Sequence, residues 1–428
     1  MSKNLAIFGG EKIIKKKFEK YNSIGSEEVL AAKSVLESGN LSQFVGSKGS
    51  DFLGGPKVQE FERECEKYFN VKHAITVNSW TSGLIAAVGA IDIEPGDEII
   101  VPTWTMCASA TAILHWNAIP VFADINNKNF CISISSIEKN LSSKTKAILA
   151  VDIFGQSADM EEIIAIAKKN NLKIISDTAQ APGALYKDKF AGTLADIGGY
   201  SLNYHKHIHT GEGGILVTND DNLAKKLRLI RNHGENVVNS KDPKSLSNIL
   251  GYNFRLGEIE SAIGIEQLKK LNSIIKDRQE IAQKISAGLK ELYGLVLPFN
   301  ETNRNHVYYV FPMILDIQKL GVSRAKIVKA LKAEGLDGLV EGYTNVHLLP
   351  MYQKKIAYGS KGFPWTSNLC QRNIDYKKGI CPVAEELHDT TFLGFEMCLH
   401  QMRDEDIELM VNAFKKVWEN LDHLKKVN

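Results

Sequence analysis

The sequence predicts an α/β fold: a mostly parallel central sheet flanked by helices, followed by a smaller α+β portion. Short strand-like runs alternate with helical patterns from His73 to Asn232. Several of those runs are apolar without a break, as strands covered on both faces must be. After Gly257 the alternation stops and one long helical stretch takes over.

Taken in order, strands are expected at 73–77, 98–102, 120–124, 147–152, 173–176, 198–202 and 214–217. Helices are expected between and after them, at 82–91, 107–115, 133–140, 159–170 and 223–232. Residues 258–292 read as a single helix, with Ile259, Ala262, Ile263, Gln267 and Leu268 at helical spacing, long enough to bridge two domains. A Tyr- and Val-rich strand is expected at 306–315 and a helix at 322–334, then a loop-rich stretch over 342–379. The terminal helix carries Ile407, Met410, Phe414 and Val417 at 3-4-3 spacing, one apolar face. The expected domains are 1–280, a large α/β domain that includes the N-terminal segment, and 281–428, a small α+β domain.

A chain of 428 residues suits two domains. Its 44% hydrophobic and 24% charged residues are those of an ordinary globular protein. A net charge of +2 argues against nucleic-acid and membrane-surface partners. The basic runs at 12–17 and 425–426 read as solvated surface. No apolar run reaches the length of a membrane span. The opening residues have few apolar members before Gly9-Gly10, so no secretory signal is expected and the protein is placed in the cytoplasm. The six cysteines, at 65, 107, 131, 370, 381 and 398, form no Cys-x-x-Cys pair, which favours reduced thiols over disulfides or zinc. Cys107 is expected to be a small buried apolar residue.

Three stretches carry chemistry. Asp177-Thr-Ala-Gln180 follows an apolar run, so its aspartate falls at the carboxyl end of a strand, where open α/β sheets gather ligands. Ser201 lies near the end of another expected strand, and Lys206 follows that strand and precedes Gly211-Glu-Gly-Gly214. Asn78-Ser-Trp-Thr-Ser-Gly83 opens a helix, presenting amide N–H groups and hydroxyls to an anion. An amine for an aldehyde, a hydroxyl for a phosphate and a carboxylate for a ring nitrogen are what pyridoxal phosphate requires. His205, His207 and His209 alternate around the lysine, but no acidic or cysteine partner is spaced to complete a metal site, so none is expected.

On these residues the chain resembles the DegT/DnrJ/EryC1/StrS family of pyridoxal-phosphate-dependent sugar aminotransferases, within fold type I. The Ser-x4-Lys-x4-Gly-Glu-Gly-Gly pattern is specific to it. Gly96-Asp-Glu-Ile-Ile-Val-Pro102, Val121-Phe-Ala-Asp124, Gly251-Tyr-Asn-Phe-Arg255 and Cys381-Pro-Val-Ala-Glu385 support it. The resemblance makes Lys206 the lysine that bonds the cofactor aldehyde and shuttles the proton, and Asp177 the partner of the pyridine nitrogen. It gives Gln180 the ring hydroxyl, and Trp80, Thr81 and Ser201 the phosphate. Asn253 would reach the phosphate of a neighbouring subunit, implying a homodimer with shared sites.

Two positions depart from the family pattern. Trp80 replaces the glycine of the usual Ser-Gly-Thr loop, so its bulk is expected to point elsewhere, toward substrate. The position that stacks on the cofactor ring falls on Met106, with Trp104 as an alternative that would have to rotate in. His347 and Tyr352, in the loop-rich stretch, are candidate substrate contacts. The implied reaction moves an amino group from glutamate or glutamine to a keto-sugar, most simply a nucleotide-linked keto-deoxysugar. The alternatives are a cyclitol- or aminobenzenoid-forming aminotransferase, a pyridoxamine-phosphate-dependent sugar dehydratase and a non-catalytic cofactor-binding regulator.

Overall fold

The computed structural model describes residues 4–239, 246–298 and 302–426. The first three residues of the N-terminal stretch lie outside them. Seven strands form the central sheet: β1 (His73–Val77), β2 (Glu98–Pro102), β3 (Ile119–Ala123), β4 (Thr145–Val151), β5 (Lys173–Asp177), β6 (Ile197–Ser201) and β7 (Gly214–Thr218). Their order is β1-β7-β6-β5-β4-β2-β3. The neighbours from β6 to β3 pair in parallel, and β7 runs antiparallel to both β6 and β1. The reversal has a simple cause. A parallel return needs a crossover, usually a helix; residues 202–213, which hold Lys206, contain no helix. Every residue of β2, β3, β6 and β7 is buried, which is why these strands carry few polar residues.

Helices cover the sheet: α1 (Ser26–Ser38), α2 (Pro56–Phe69), α3 (Trp80–Ala90), α4 (Ala108–His115), α5 (Ile134–Asn140), α6 (Met160–Asn170), α7 (Asp221–Arg231) and α8 (Glu258–Leu289). The predicted elements are present with ends displaced by one or two residues in most cases. The strand expected at 306–315 is the main exception; it begins only at Phe311. Tyr308 sits at φ +52°, which breaks an extended run. Residues 307 and 309 instead hydrogen-bond the turn after β4, with Val307 N donating to Gly155 O (2.7 Å) and Tyr309 N to Phe154 O (3.0 Å). That detour brings the Tyr309 ring against Lys206.

A second sheet, β8 (Leu295–Val296), β9 (Phe311–Leu315), β10 (Leu339–Val340) and β11 (Phe392–Phe395), is antiparallel throughout in the order β8-β9-β11-β10. With α9 (Arg324–Ala333) and α10 (Asp404–Glu419) it encloses its own core, including Phe311, Met313, Leu331, Phe395, Met410 and Phe414. Leu5, Ile14 and Phe18 pack in this core, not against the large sheet. The buried Glu334 fastens them: its carboxylate accepts from Ala6 N (2.8 Å), Ile13 N (3.1 Å) and Lys416 Nζ (2.9 Å). Helix α8 runs through residue 280 without a break. Its first half carries Ile265, Leu268 and Leu271 of one core, and its last turns carry Ala282, Ile285 and Leu289 of the other.

Among the described residues, no helix is long and apolar enough to cross a membrane. One buried ion pair lies under the sheet edge that leads to the site. Arg231 Nη1 on α7 donates to Glu62 Oε1 on α2 (2.6 Å), and the same oxygen accepts from Thr76 N on β1 (2.9 Å). Glu62→Ala leaves a guanidinium out of water with no counter-charge, a loss of about 3–5 kcal/mol. We expect a clear fall in the urea midpoint of unfolding. An unchanged midpoint would show that the pair does not hold β1 in place.

Candidate active site

The carboxyl ends of the parallel strands form one rim, and the predicted cofactor residues other than Asn253 converge there. A cavity of about 180 Å³ is lined by Trp80, Thr81, Met106, Asp177, Gln180, Ser201 and Lys206, among others. Asp177 ends β5, Ser201 ends β6, and Trp80 and Thr81 open α3 just after β1. Ser79 caps that helix, its hydroxyl accepting from Ser82 N. The first amides of a helix have no partner within it, so Trp80 N and Thr81 N are available to an anion.

Lys206 is 7% exposed. Burial pushes its amine down to about 8, against the pull of the Asp177 carboxylate. Its Nζ lies 4.3 Å from the centre of the Tyr309 ring. The flanking histidines add no positive charge: burial lowers His205 to about 4 and His207 to about 3. His207 Nε2 donates to Val307 O (2.7 Å), which anchors the lysine segment to the chain leading into β9. Among the described residues, no group of three His, Cys, Asp or Glu side chains is placed to hold a metal ion.

Asp177 is 4% exposed and is held by three donors. Trp80 Nε1 (2.7 Å) and Ala179 N (3.2 Å) donate to Oδ1, and Ser109 Oγ (2.7 Å) donates to Oδ2. Ser109 in turn receives the Thr105 hydroxyl (2.6 Å). Gln180 is fixed at both ends of its amide: Oε1 accepts from Phe154 N (2.8 Å), and Nε2 donates to Tyr343 (3.1 Å).

Several expectations change. The Trp80 indole is buried and turned inward to Asp177, not outward to substrate. Trp104 is fully buried, its Nε1 donating to Asn345 Oδ1 (3.0 Å) and its ring stacked beside Phe130, so it does not rotate into the pocket. Met106 is on the wall and 57% exposed. Its sulfur accepts from Ala108 N (3.1 Å) at the start of α4. Cys107 beside it is exposed, not buried. His347 and Tyr352 are not substrate contacts: both are 0% exposed. His347 bridges Thr103 Oγ1 (2.5 Å) and Glu385 Oε1 (3.0 Å), and Tyr352 packs on Phe122, Trp365 and Tyr376. Asn253 is exposed and does not line its own chain's cavity. Its carbonyl accepts from Asn78 Nδ2 (3.3 Å), and Phe254 O accepts from Asn78 N (2.9 Å).

Sequence reasoning did not single out Ser109, Tyr309 or Glu396. A second cavity of about 230 Å³ adjoins the first at His205 and is lined by Tyr204, Tyr309, Glu396 and Cys398. A larger one, about 590 Å³, lies between β3, α5 and residues 372–383. It contains neither Lys206 nor Asp177, so size and chemistry diverge, and the chemistry locates the site.

A sequence profile of the DegT/DnrJ/EryC1/StrS aminotransferase family matches residues 34–386. The chain belongs to this family of aminotransferases. It is 34% identical over 357 residues to the spore coat polysaccharide biosynthesis protein SpsC of Bacillus subtilis, covering 82% of this chain and 89% of that one. It is 35% identical to the GDP-perosamine synthase of Caulobacter vibrioides over 70% of this chain and 79% of that one. The fold matches Helicobacter pylori PseC, an aminotransferase of pseudaminic acid biosynthesis, with a TM-score of 0.78 at 26% identity over 95% of this chain and 100% of that one. The family implies pyridoxal phosphate. The residues fit that group on three counts: a buried amine, a carboxylate with acceptor capacity left, and free helix-start amides beside a hydroxyl.

The Lys206 environment yields a pH prediction. Reductive methylation with labelled formaldehyde and NMR titration of the apoprotein should find one lysine titrating near 8, absent in Lys206→Ala. A Lys206 midpoint in the ordinary range, about 10.4, would contradict the burial described.

Proposed function

We propose that this aminotransferase transfers an amino group from glutamate or glutamine, through pyridoxal phosphate, to the keto group of a nucleotide-linked keto-deoxysugar. One observation carries the reading: a buried amine of depressed basicity and a buried, anchored carboxylate face one cavity at the sheet rim. The sugar assignment draws support from the relatives named for GDP-perosamine synthesis and spore coat polysaccharide. The adjoining cavity, with Tyr204, His205 and Glu396, offers polar groups to a hydroxylated ring.

When bound, pyridoxal phosphate supplies an electron-withdrawing ring that stabilises negative charge on the carbon beside the amino nitrogen. The protein holds and orients it. Trp80 N, Thr81 and Ser201 would take the phosphate, Asp177 the ring nitrogen and Gln180 the ring hydroxyl. Met106 would cover one face of the ring. Lys206 Nζ would hold the aldehyde end and, once released, carry a proton between donor or acceptor carbon and the cofactor's C4′. An amine near neutrality can both take and give that proton at pH 8. Asn253 would serve the phosphate of the partner subunit's site in a homodimer.

Lys206→Ala should fold and abolish turnover. Asp177→Asn should reduce kcat on the order of 100-fold or more. A screen of GDP- and UDP-linked keto-sugars against the amine-loaded enzyme should give an aminated product by mass; loss of water would mark a dehydratase instead. Amination of a cyclitol ketone but of no nucleotide sugar would overturn the substrate class.

Shared sites have their own test. Mixing Lys206→Ala and Asn253→Asp chains places both defects in one site of each hybrid and neither in the other. Activity should partly recover on subunit exchange. Exchange without recovery, or full activity of a monomer, would refute the shared arrangement.

A further inference from the structure

Trp80 stands where the family pattern carries glycine, and its buried indole is turned to Asp177 on the wall of the cofactor cavity. The space it fills has been cleared by glycines. A Cβ at Gly199, in the middle of β6, would lie 2.2 Å from the indole Cζ3; one at Gly83, on α3, would lie 2.7 Å from Cε3. Glycine inside a central strand weakens it and often marks a close approach. At Gly199 the Ile215 carbonyl of β7 is as close (2.2 Å), and the other approaching group is the indole, whose one polar atom is aimed at the charged oxygen of Asp177.

An aromatic ring used only as filler has no need of that N–H. Phenylalanine would occupy the slot without a donor to satisfy. The carboxylate, however, turns freely about its Cβ–Cγ bond unless both oxygens are held. Trp80 and Ala179 occupy Oδ1 while Ser109 takes one position on Oδ2. A carboxylate offers about four acceptor positions, so acceptor capacity remains on Oδ2.

We infer that Trp80 is a positioning residue that acts through Asp177: its indole N–H sets the plane of the carboxylate so that the free acceptor position on Oδ2 meets the ring nitrogen of the cofactor. This rests on the reading of Asp177 as the partner of that nitrogen. Ser109, on α4, is the second support, and the Thr105 hydroxyl orients it in turn.

The test uses Trp80→Phe in the full-length enzyme. Loss of a hydrogen bond to a charged group corresponds to roughly tenfold to a hundredfold in an equilibrium or rate. We expect pyridoxal phosphate to dissociate from Trp80→Phe roughly tenfold more readily. The pH titration of its visible absorbance should be displaced, and kcat should fall while KM for the amino donor stays nearly constant. Ser109→Ala should shift the same readouts in the same direction. Wild-type cofactor affinity and titration in Trp80→Phe would reduce Trp80 to packing and overturn the inference, with the aminotransferase reading intact. Failure of the wild-type protein to bind the cofactor would instead overturn the reading beneath it. Should Trp80→Phe not fold, the apoprotein still decides. With five tryptophans, an indole-¹⁵N-labelled sample gives five N–H signals. One should move strongly in Asp177→Asn; no change in any of them would refute the hydrogen bond.

Discussion

A carboxylate taken out of water must be surrounded by donors, and the rim of the large sheet is arranged to meet that requirement at Asp177. Burying an unpaired ion costs several kcal/mol, so the donors are a condition of the fold as well as of the site. They come from separate elements. The turn after β1 brings Trp80, α4 brings Ser109, and the chain just past β5 brings the Ala179 amide. Parallel strand order delivers all of them to the same edge, because each βα connection ends with its loop on that side. β6 admits the indole only because it carries glycine at 199. Sheet topology, strand composition and site chemistry therefore answer one electrostatic demand.

Lys206 meets the opposite demand. Its segment is the helix-free return between β6 and β7, which buries Lys206, His207 and Ile208 and leaves Tyr204 and Glu212 at the surface. The two histidines nearest it are kept neutral by burial, so no like charge adds to the cost of the amine. The distant 306–310 stretch, bonded to the turn after β4 and to His207, sets the Tyr309 ring against Lys206 Nζ and in the wall of the adjoining cavity. The later part of the chain thereby contributes Tyr309, as well as Tyr343 on Gln180 and Glu396 in the adjoining cavity.

The strands, the long helix and the Lys206–Asp177 pairing were legible in the sequence because each has a local signal: unbroken apolar runs, helical spacing, and short motifs at strand ends. The remainder depended on contacts across the chain. Helix α2 begins at Pro56 and buries Val58, Phe61, Cys65 and Phe69 at helical spacing, a pattern present in the sequence although the expected helices do not include it. His347 and Tyr352 looked like loop residues with useful chemistry. Glu385, 38 positions from His347 in sequence, and the aromatic cluster around Phe122 draw them into the interior. Trp104 is claimed by Asn345 in the same manner. Cys107 is exposed because α4 starts just beyond it, at the mouth of the cavity. Ser109 has no motif at all; only the three-dimensional approach of α4 to β5 gives it a role.

The fit between Trp80 and its glycines also constrains how such a site arises or is lost by single substitutions. Replacing the indole by glycine first would open a cavity of side-chain size beneath the rim, whose cost grows with the empty volume. Placing alanine at 199 or 83 first would drive a methyl group into the ring. Either order passes through a destabilised protein. At 199 the neighbouring carbonyl of Ile215, 2.2 Å from such a Cβ, demands glycine whatever the loop carries, so the shared history is expected between 80 and 83: lineages that carry tryptophan in this loop should hold glycine at 83, and those with glycine in the loop should be free to fill the slot from the helix.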